Sequence, residues 1–237
     1  MKVVFMGTPD FSVGTLEALV EAGYEITGVV TQPDKPKGRG KQMMPTPVKE
    51  AAEKHGLPVY QPRRVRDAEA IEEIRKMEPD VIVVVAFGQI IPKEILDMPK
   101  YGCIKFMPPC FRLTAGGSAD PVAVMNGDEV SGVTIMKMDE GLDTGDMLTK
   151  VEVPLAADET GGSLFDKLAA AGAKLLVETL PKLEKGEVTP EKQPEISTTE
   201  YARMIKKEDG KIDWTKSAVE IERQIRAMSR GRVLLQK

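Results

Sequence analysis

Residues 80–86 constrain the fold more than any other part of this chain, because they are almost entirely valine and isoleucine. An unbroken run of β-branched apolar residues is typical of a strand that is buried on both faces. Such a strand requires helices on both sides of its sheet, since each face must be covered by other secondary structure. This run therefore predicts a central strand of an α/β fold.

The flanking sequence alternates short apolar runs with segments of helical spacing. Strands are predicted at residues 2–6, 24–31 and 57–61, and helices at residues 12–22, 45–55, 67–77 and 163–180. This order predicts right-handed βαβ units and a doubly wound, largely parallel sheet. Ligands of such sheets bind beyond the carboxyl ends of the strands. We expect the turns at Gly7 and Ala86 and the loop at Asp139 to meet at that edge.

Residues 132–147 predict a strand that leads into an acidic loop. The loop carries four carboxylates and two glycines: Asp139, Glu140, Asp143, Asp146, Gly141 and Gly145. Carboxylates on a tight turn at the end of a strand often form a proton-handling site. A solvated turn is the alternative that composition alone leaves open.

Residues 34–49 form a basic segment with glycines and prolines in place of apolar spacing. Its cations are Lys35, Lys37, Arg39, Lys41 and Lys49. One interpretation is a flexible, solvated loop. The other is a phosphate-binding loop, since cations neutralise phosphates and glycines allow a close approach of the backbone.

Several protein classes are disfavoured. A net charge of -4 argues against a globally basic nucleic-acid binder, so any RNA contact requires a local patch. The G-x-G-x-x-G pattern is missing after the first strand, so residues 7–10 are interpreted as a tight turn without a nicotinamide cofactor. The single histidine, His55, follows a predicted helix and is interpreted as a capping residue. Two cysteines, with neither a signal peptide nor a membrane-length apolar run, predict a cytoplasmic protein.

Five motifs are spread over nearly the whole chain. They are MKVVFMGTPDFS at residues 1–12, TQPDKPKGRGK at 31–41 with PTPV at 45–48, AFGQIIP at 86–92, GVTIMKMDEGLDTGDM at 132–147 and DGKIDW at 209–214. These motifs resemble the folate-dependent formyltransferases, and in particular the branch that acts on methionyl-tRNA. The basic segment and the late DGKIDW motif separate that branch from its purine-pathway relatives.

The resemblance implies transfer of a formyl group from 10-formyltetrahydrofolate to the amine of initiator methionyl-tRNA, by a monomer that needs no metal. It assigns the catalytic aspartate to Asp143 and tRNA contacts to Lys37, Arg39 and Lys41. The implied folate pocket consists of Phe87, Gly88, Gln89, Ile90, Asp139, Gly141 and Leu142.

One strand departs from the family pattern. The family supplies an amide and an imidazole in N-V-H-x-S-L-L-P, whereas Lys105 and Met107 occupy those two positions here. With codons chosen from the degenerate sets, one added base in the codon for Lys105 restores N-V-H-A-S-L-L-P-A-Y-R. One added base after Ser229 likewise gives S-P-W-P-G-A. We therefore hypothesise that small insertions or deletions shifted the reading frame over residues 105–122 and after Met228, which predicts a chain inactive by the family's route.

The resemblance also predicts the domain organisation. Residues 1–182 are expected to form the catalytic domain, residues 183–208 a linker, and residues 209–237 the truncated start of a C-terminal, tRNA-binding β-barrel domain. Two alternatives stay open. One is a catalytically dead relative that binds folate or tRNA, and the other is a formyltransferase for an amino sugar or glycinamide ribonucleotide.

Overall fold

The computed structural model describes residues 1–37, 42–107, 119–141, 144–193 and 207–229. The strands are β1 Lys2–Gly7, β2 Glu25–Val30, β3 Lys35–Lys37, β4 Gln42–Met44, β5 Val59–Tyr60, β6 Val81–Val85, β7 Cys103–Met107, β8 Val130–Lys137 and β9 Met147–Pro154. The helices are α1 Val13–Glu21, α2 Pro47–Lys54, α3 Ala68–Lys76, α4 Lys93–Leu96, α5 Ala119–Asn126, α6 Gly161–Glu184 and α7 Ala218–Ala227. Short 3-10 helices occupy Asp10–Ser12 and Lys207–Gly210.

Within the described ranges, seven strands form one sheet in the order β5-β2-β1-β6-β7-β8-β9. The pairs from β5 through β7 are parallel, whereas β7–β8 and β8–β9 are antiparallel. The prediction of a largely parallel, doubly wound α/β sheet is thus confirmed. Strand β6 lies at the centre and all five of its residues are buried, as the valine-rich run predicted.

Side chains of β6 alternate between two apolar clusters, one on each face of the sheet. On one face, Val83 belongs to a cluster that includes Leu16 of α1 and Leu176 of α6. On the other face, Ile82 belongs to a cluster that includes Ile74 of α3 and Ile95 of α4. Full burial of such a side chain stabilises the fold by about 1.5–3 kcal/mol, so this double-sided core fixes the strand ends that surround it.

The strand that leads into the acidic loop runs against the parallel strands. The loop at Asp139 was expected at the carboxyl ends of those strands, but β8 runs antiparallel to β7, so the loop begins at the opposite edge. The last residue of β8, Lys137, therefore pairs with Ile104 near the start of β7, and the Met138 N–H donates to the Cys103 carbonyl at 2.8 Å. Hydrophobic spacing specifies a buried strand without specifying its direction, which is why the sequence did not reveal this.

Helix α7 docks on the end of α5 and the start of α6. Arg223 donates to the Asn126 carbonyl at 3.3 Å, and Arg226 donates to the Glu159 carbonyl at 2.6 Å. Gly161 lies directly against the Ala227 carbonyl, where a Cβ atom would clash. A search of the described residues finds no helix that is both long enough and apolar enough to span a membrane.

Candidate active site

A left-handed turn follows the central strand and forms the centre of the candidate site. Ala86 has φ 46° and Gly88 has φ 81°, so the chain reverses sharply just after β6. The Phe87 carbonyl accepts hydrogen bonds from Thr8 Oγ1 at 2.9 Å and from Gln32 Nε2 at 3.0 Å. Residues that follow β1 and β2 thus hold the turn that follows β6. The Phe87 side chain itself is 2% exposed and packs in the core.

The first strand also ends in a tight turn. A Cβ atom at Gly7 would lie 2.8 Å from side-chain atoms of both Phe5 and Ser12, so only glycine fits there. Ser12 Oγ donates to the Val85 carbonyl at 2.6 Å, which ties the start of α1 to the end of β6. The interpretation of residues 7–10 as a strand-to-helix turn is confirmed.

A pocket of about 440 Å³ opens beside the left-handed turn. Its lining consists of Gln32, Pro33, Lys35, Arg63, Arg64, Arg66, Gly88, Gln89 and Ile90. Ile90 is 87% exposed, and Gln89 Oε1 accepts the Val65 N–H at 2.8 Å. The pocket therefore combines an exposed apolar side chain with four cationic side chains, a combination suited to an organic ligand that carries anionic groups.

Three of these cations, Arg63, Arg64 and Arg66, were missed by the sequence analysis. They come directly after the short strand β5, at the same sheet edge as the turn after β6. Their position after a parallel strand was the available signal, because that edge is where ligands bind in such sheets.

The base of the basic segment is held by a polar network. Asp34 accepts Gln61 Nε2 at 2.7 Å and Lys49 Nζ at 2.8 Å. The hydrogen bond from Gln61, followed by that from Lys49, lowers the pKa of Asp34 below its ordinary value. Lys49 is thus paired with Asp34 at the base of the basic segment. Strands β3 and β4 continue beyond it as an antiparallel pair, where the sequence had suggested a flexible loop.

The acidic loop is partly self-supporting. Asp139 Oδ1 accepts the Gly141 N–H at 3.1 Å and Thr144 Oγ1 at 2.7 Å. Glu140 pairs with Lys93 at the start of α4, and this hydrogen bond raises the pKa of Lys93. Both members of that pair are exposed, so it orients the loop more than it stabilises the fold.

Strand β7 carries the two positions that depart from the family pattern. Lys105 pairs with Val84 on β6 and with Met136 on β8, and its side chain is half-buried. Met107 is the last residue of β7 and pairs with Thr134. Its side chain, like that of Lys37, lies outside the described residues, as do the whole of Arg39, Lys41, Leu142 and Asp143.

Two remaining titratable groups are structural. The Cys103 thiol is fully buried and lies 3.5 Å from the Ile95 carbonyl, and burial raises its pKa to about 12. It is therefore an inert thiol at neutral pH. His55 is exposed at the C-cap of α2, which confirms its interpretation as a capping residue.

Two family models match most of this chain. The family model described as "Formyl transferase" matches residues 1–180, and the model "Formyl transferase, C-terminal domain" matches residues 204–234. The chain belongs to the formyl transferase family.

Two relatives with high sequence identity carry the name of one branch of the formyl transferase family. Methionyl-tRNA formyltransferase of Agathobacter rectalis is 59% identical over 231 residues, which cover 97% of this chain and 74% of that protein. The protein of the same name from Lachnospira eligens is 55% identical, over 97% of this chain and 72% of its own length. The resemblance deduced from the sequence motifs is thereby confirmed.

Solved structures support the fold alone. An N-formyltransferase from Helicobacter canadensis, solved with folinic acid and dTDP-3-aminofucose, has a TM-score of 0.68 at 19% identity, covering 96% of this chain and 80% of its own. A phosphoribosylglycinamide formyltransferase from Bacillus halodurans has a TM-score of 0.64 at 20% identity, covering 84% and 100%.

Proposed function

We propose that this chain binds 10-formyltetrahydrofolate and initiator methionyl-tRNA, as a cytoplasmic monomer, but lacks the groups needed for formyl transfer in its printed form. The observation that carries the proposal is the 59% identity to a methionyl-tRNA formyltransferase over nearly the whole chain. The basic segment with its β3–β4 hairpin is the feature that favours an RNA acceptor over an amino sugar or a ribonucleotide.

The pocket beside the left-handed turn fits the folate donor. A folate is a flat ring system joined to a glutamate that carries two carboxylates. Ile90 offers an apolar surface for the ring, and Arg63, Arg64 and Arg66 offer charge-assisted hydrogen bonds to the carboxylates. The donor-pocket assignment to residues 87–90, 139, 141 and 142 remains part of this proposal.

The chemistry of transfer sets three demands. The acceptor amine attacks the formyl carbon, the carbonyl oxygen becomes an oxyanion, and a proton moves from the amine to the leaving nitrogen of the folate. A neutral amide stabilises the oxyanion, an imidazole moves the proton, and a carboxylate holds the imidazole. Asp143 matches the carboxylate by sequence.

Lys105 and Met107 do not meet the other two demands. A methionine thioether cannot accept and return a proton in the way that an imidazole can. A lysine can donate to an oxyanion, but it brings a full charge on a long stem in place of a fixed, neutral amide. Sequencing the gene across the codons for residues 104–124 tests whether a frame shift introduced them.

The arginines of the pocket provide the direct test of donor binding. We expect the triple variant R63Q/R64Q/R66Q to bind folinic acid, a stable formyl folate, at least about tenfold more weakly by calorimetry, since loss of charged hydrogen bonds costs about 1.5–3 kcal/mol each. The control K54Q/R75Q/K76Q removes the same charge from exposed helix ends. Equal affinity in the two triple variants would exclude the pocket as the donor site.

A further inference from the structure

Gln32 connects three separate parts of the candidate site. Its Nε2 donates to the Phe87 carbonyl at 3.0 Å, and its Oε1 accepts Lys35 Nζ at 2.7 Å. Its own backbone carbonyl accepts Gln61 Nε2 at 2.8 Å. One side chain therefore bridges the first residue of the β3–β4 hairpin and the turn that lines the pocket.

The turn that Gln32 holds depends on external support. Ala86 has a left-handed φ, which residues other than glycine rarely adopt. Among the described residues, only the side chains of Thr8 and Gln32 donate hydrogen bonds to the next carbonyl along the chain, that of Phe87. Gly88 lies beneath the Gln32 amide, so closely that a Cβ atom there would collide with Nε2. The position of this amide therefore determines how well the turn keeps its shape.

The residues around Gln32 fix the base of the hairpin. Asp34 is held by Gln61 and Lys49, and Thr31 shares a buried hydrogen bond of 2.8 Å with Thr46 on the return side of the hairpin. These bonds tie both arms of the hairpin to the sheet at its base. Lys35 is the first residue of β3 and also a hydrogen-bond partner of the Gln32 amide.

We propose that Gln32 is a positioning residue that couples RNA contact at the hairpin to donor binding at the turn. An RNA on the hairpin restrains Lys35, a restrained Lys35 keeps the Gln32 amide on the Phe87 carbonyl, and the turn then requires less ordering when the donor binds. Ordering of the turn by one ligand favours binding of the other, and this coupling is reciprocal. This inference rests on the proposed function, because it requires both ligands.

The test measures the affinity of the printed chain for folinic acid with and without saturating methionyl-tRNA. We expect the tRNA to tighten folinic acid binding by about fivefold or more, within the usual range of coupling between two sites. In Q32L this factor falls to one, and folinic acid alone also binds more weakly, because Gln32 lines the pocket and holds the turn. Q32E keeps an acceptor for Lys35 but cannot donate to Phe87, so it also loses the coupling. The control Glu25→Leu, an exposed change at the opposite end of β2, keeps it.

Four outcomes decide the matter. Loss of coupling in both Gln32 variants, with folding unchanged by circular dichroism, supports the inference. Coupling that persists while folinic acid affinity falls would make Gln32 a simple pocket contact and overturn it. Binding of both ligands without coupling in the parent chain overturns it while the proposed function stands. Failure of the parent chain to bind either ligand overturns both.

Discussion

At the scale of single residues, the left-handed turn after β6 is the feature on which the account of the pocket depends. Gly88 has φ 81° and faces the Gln32 amide without room for a side chain. Gly186 has a similar φ of 70°, but a Cβ atom there would meet open space. These two glycines therefore separate the cost of backbone strain from the cost of displacing Gln32.

We predict that Gly88→Ala and Gly186→Ala both lower the free energy of unfolding by about 1 kcal/mol, because alanine is strained at positive φ. Only Gly88→Ala should also weaken folinic acid binding, by about fivefold or more. Urea unfolding and calorimetry measure the two effects. If both variants bind folinic acid equally well, the turn does not shape the donor pocket.

Residue types at the site were only partly predictable. The turn at Gly7 and the capping position of His55 follow from local rules, and the structure agrees with them. The arginines after β5 were missed because their role depends on which strands become neighbours, and that arrangement is absent from local sequence. The expected departure of Lys105 and Met107 from the family pattern follows only from comparison with the family's motif.

At the scale of secondary structure elements, the start of α6 is the best-defined ionic feature. Glu159 has a 2% exposed side chain and accepts the Ala156 N–H at 3.0 Å, together with Ser163 and Lys167. Burial alone raises the pKa of Glu159, but these hydrogen bonds outweigh it and leave the pKa below the ordinary value of 4.5. Its ionised form therefore stabilises the folded chain.

The lowered pKa of Glu159 determines how the stability of the fold depends on pH. A carboxyl with a lowered folded-state pKa stabilises the fold above its unfolded-state pKa, and this contribution is lost as the pH falls through the folded-state value. We predict that Glu159→Gln lowers the free energy of unfolding, measured in urea at pH 7, by about 1–3 kcal/mol, because a neutral amide cannot accept all the hydrogen bonds of the buried carboxylate. The difference should shrink as the pH falls below 4.5. A difference that is constant with pH would mean that the charge of Glu159 does not matter.

The docking of α7 gives a second prediction at this scale. Gly161 lies against the Ala227 carbonyl, so Gly161→Ala must displace the end of α7. We expect a loss of about 1–3 kcal/mol, typical of overpacking, and a change in the fluorescence of Trp214, the single tryptophan of the chain.

Gly14→Ala is the matched control for this change. Gly14 lies in α1 with no atom near its missing Cβ, so alanine there should stabilise the chain slightly through higher helix propensity. Equal effects of the two substitutions on stability and fluorescence would show that α7 is not held against Gly161.

The strands differ in how far they could be predicted from the sequence. Strand β6 was predictable because burial on both faces leaves a continuous valine and isoleucine run. The direction of β8 was not, because an apolar run is the same in parallel and antiparallel sheets. The β3–β4 hairpin was hidden because its strands have three residues each and include a proline.

At the scale of the whole molecule, the chain belongs to the formyl transferase family, and its described residues form a seven-stranded, mostly parallel sheet. The family model spans residues 1–180, and the central sheet has the order and burial that place turns from β1, β2, β5 and β6 at one edge. The expected domain boundaries at residues 182 and 208 remain a proposal. In the structure, α6 extends to Glu184 and Glu191 pairs with Met147 of β9.

Single-turnover formyl transfer to methionyl-tRNA tests the central claim most directly. Two proteins are compared: the printed chain, and a chain in which the reading frame is restored over residues 105–122. The account predicts that the restored chain transfers the formyl group and that the printed chain is at least about 10²-fold slower, the least that loss of general acid–base catalysis costs. Asp143→Asn in the restored chain should abolish transfer and leave folinic acid bound. Transfer by the printed chain at the rate of the restored one would contradict the account, since Lys105 and Met107 would then support the reaction.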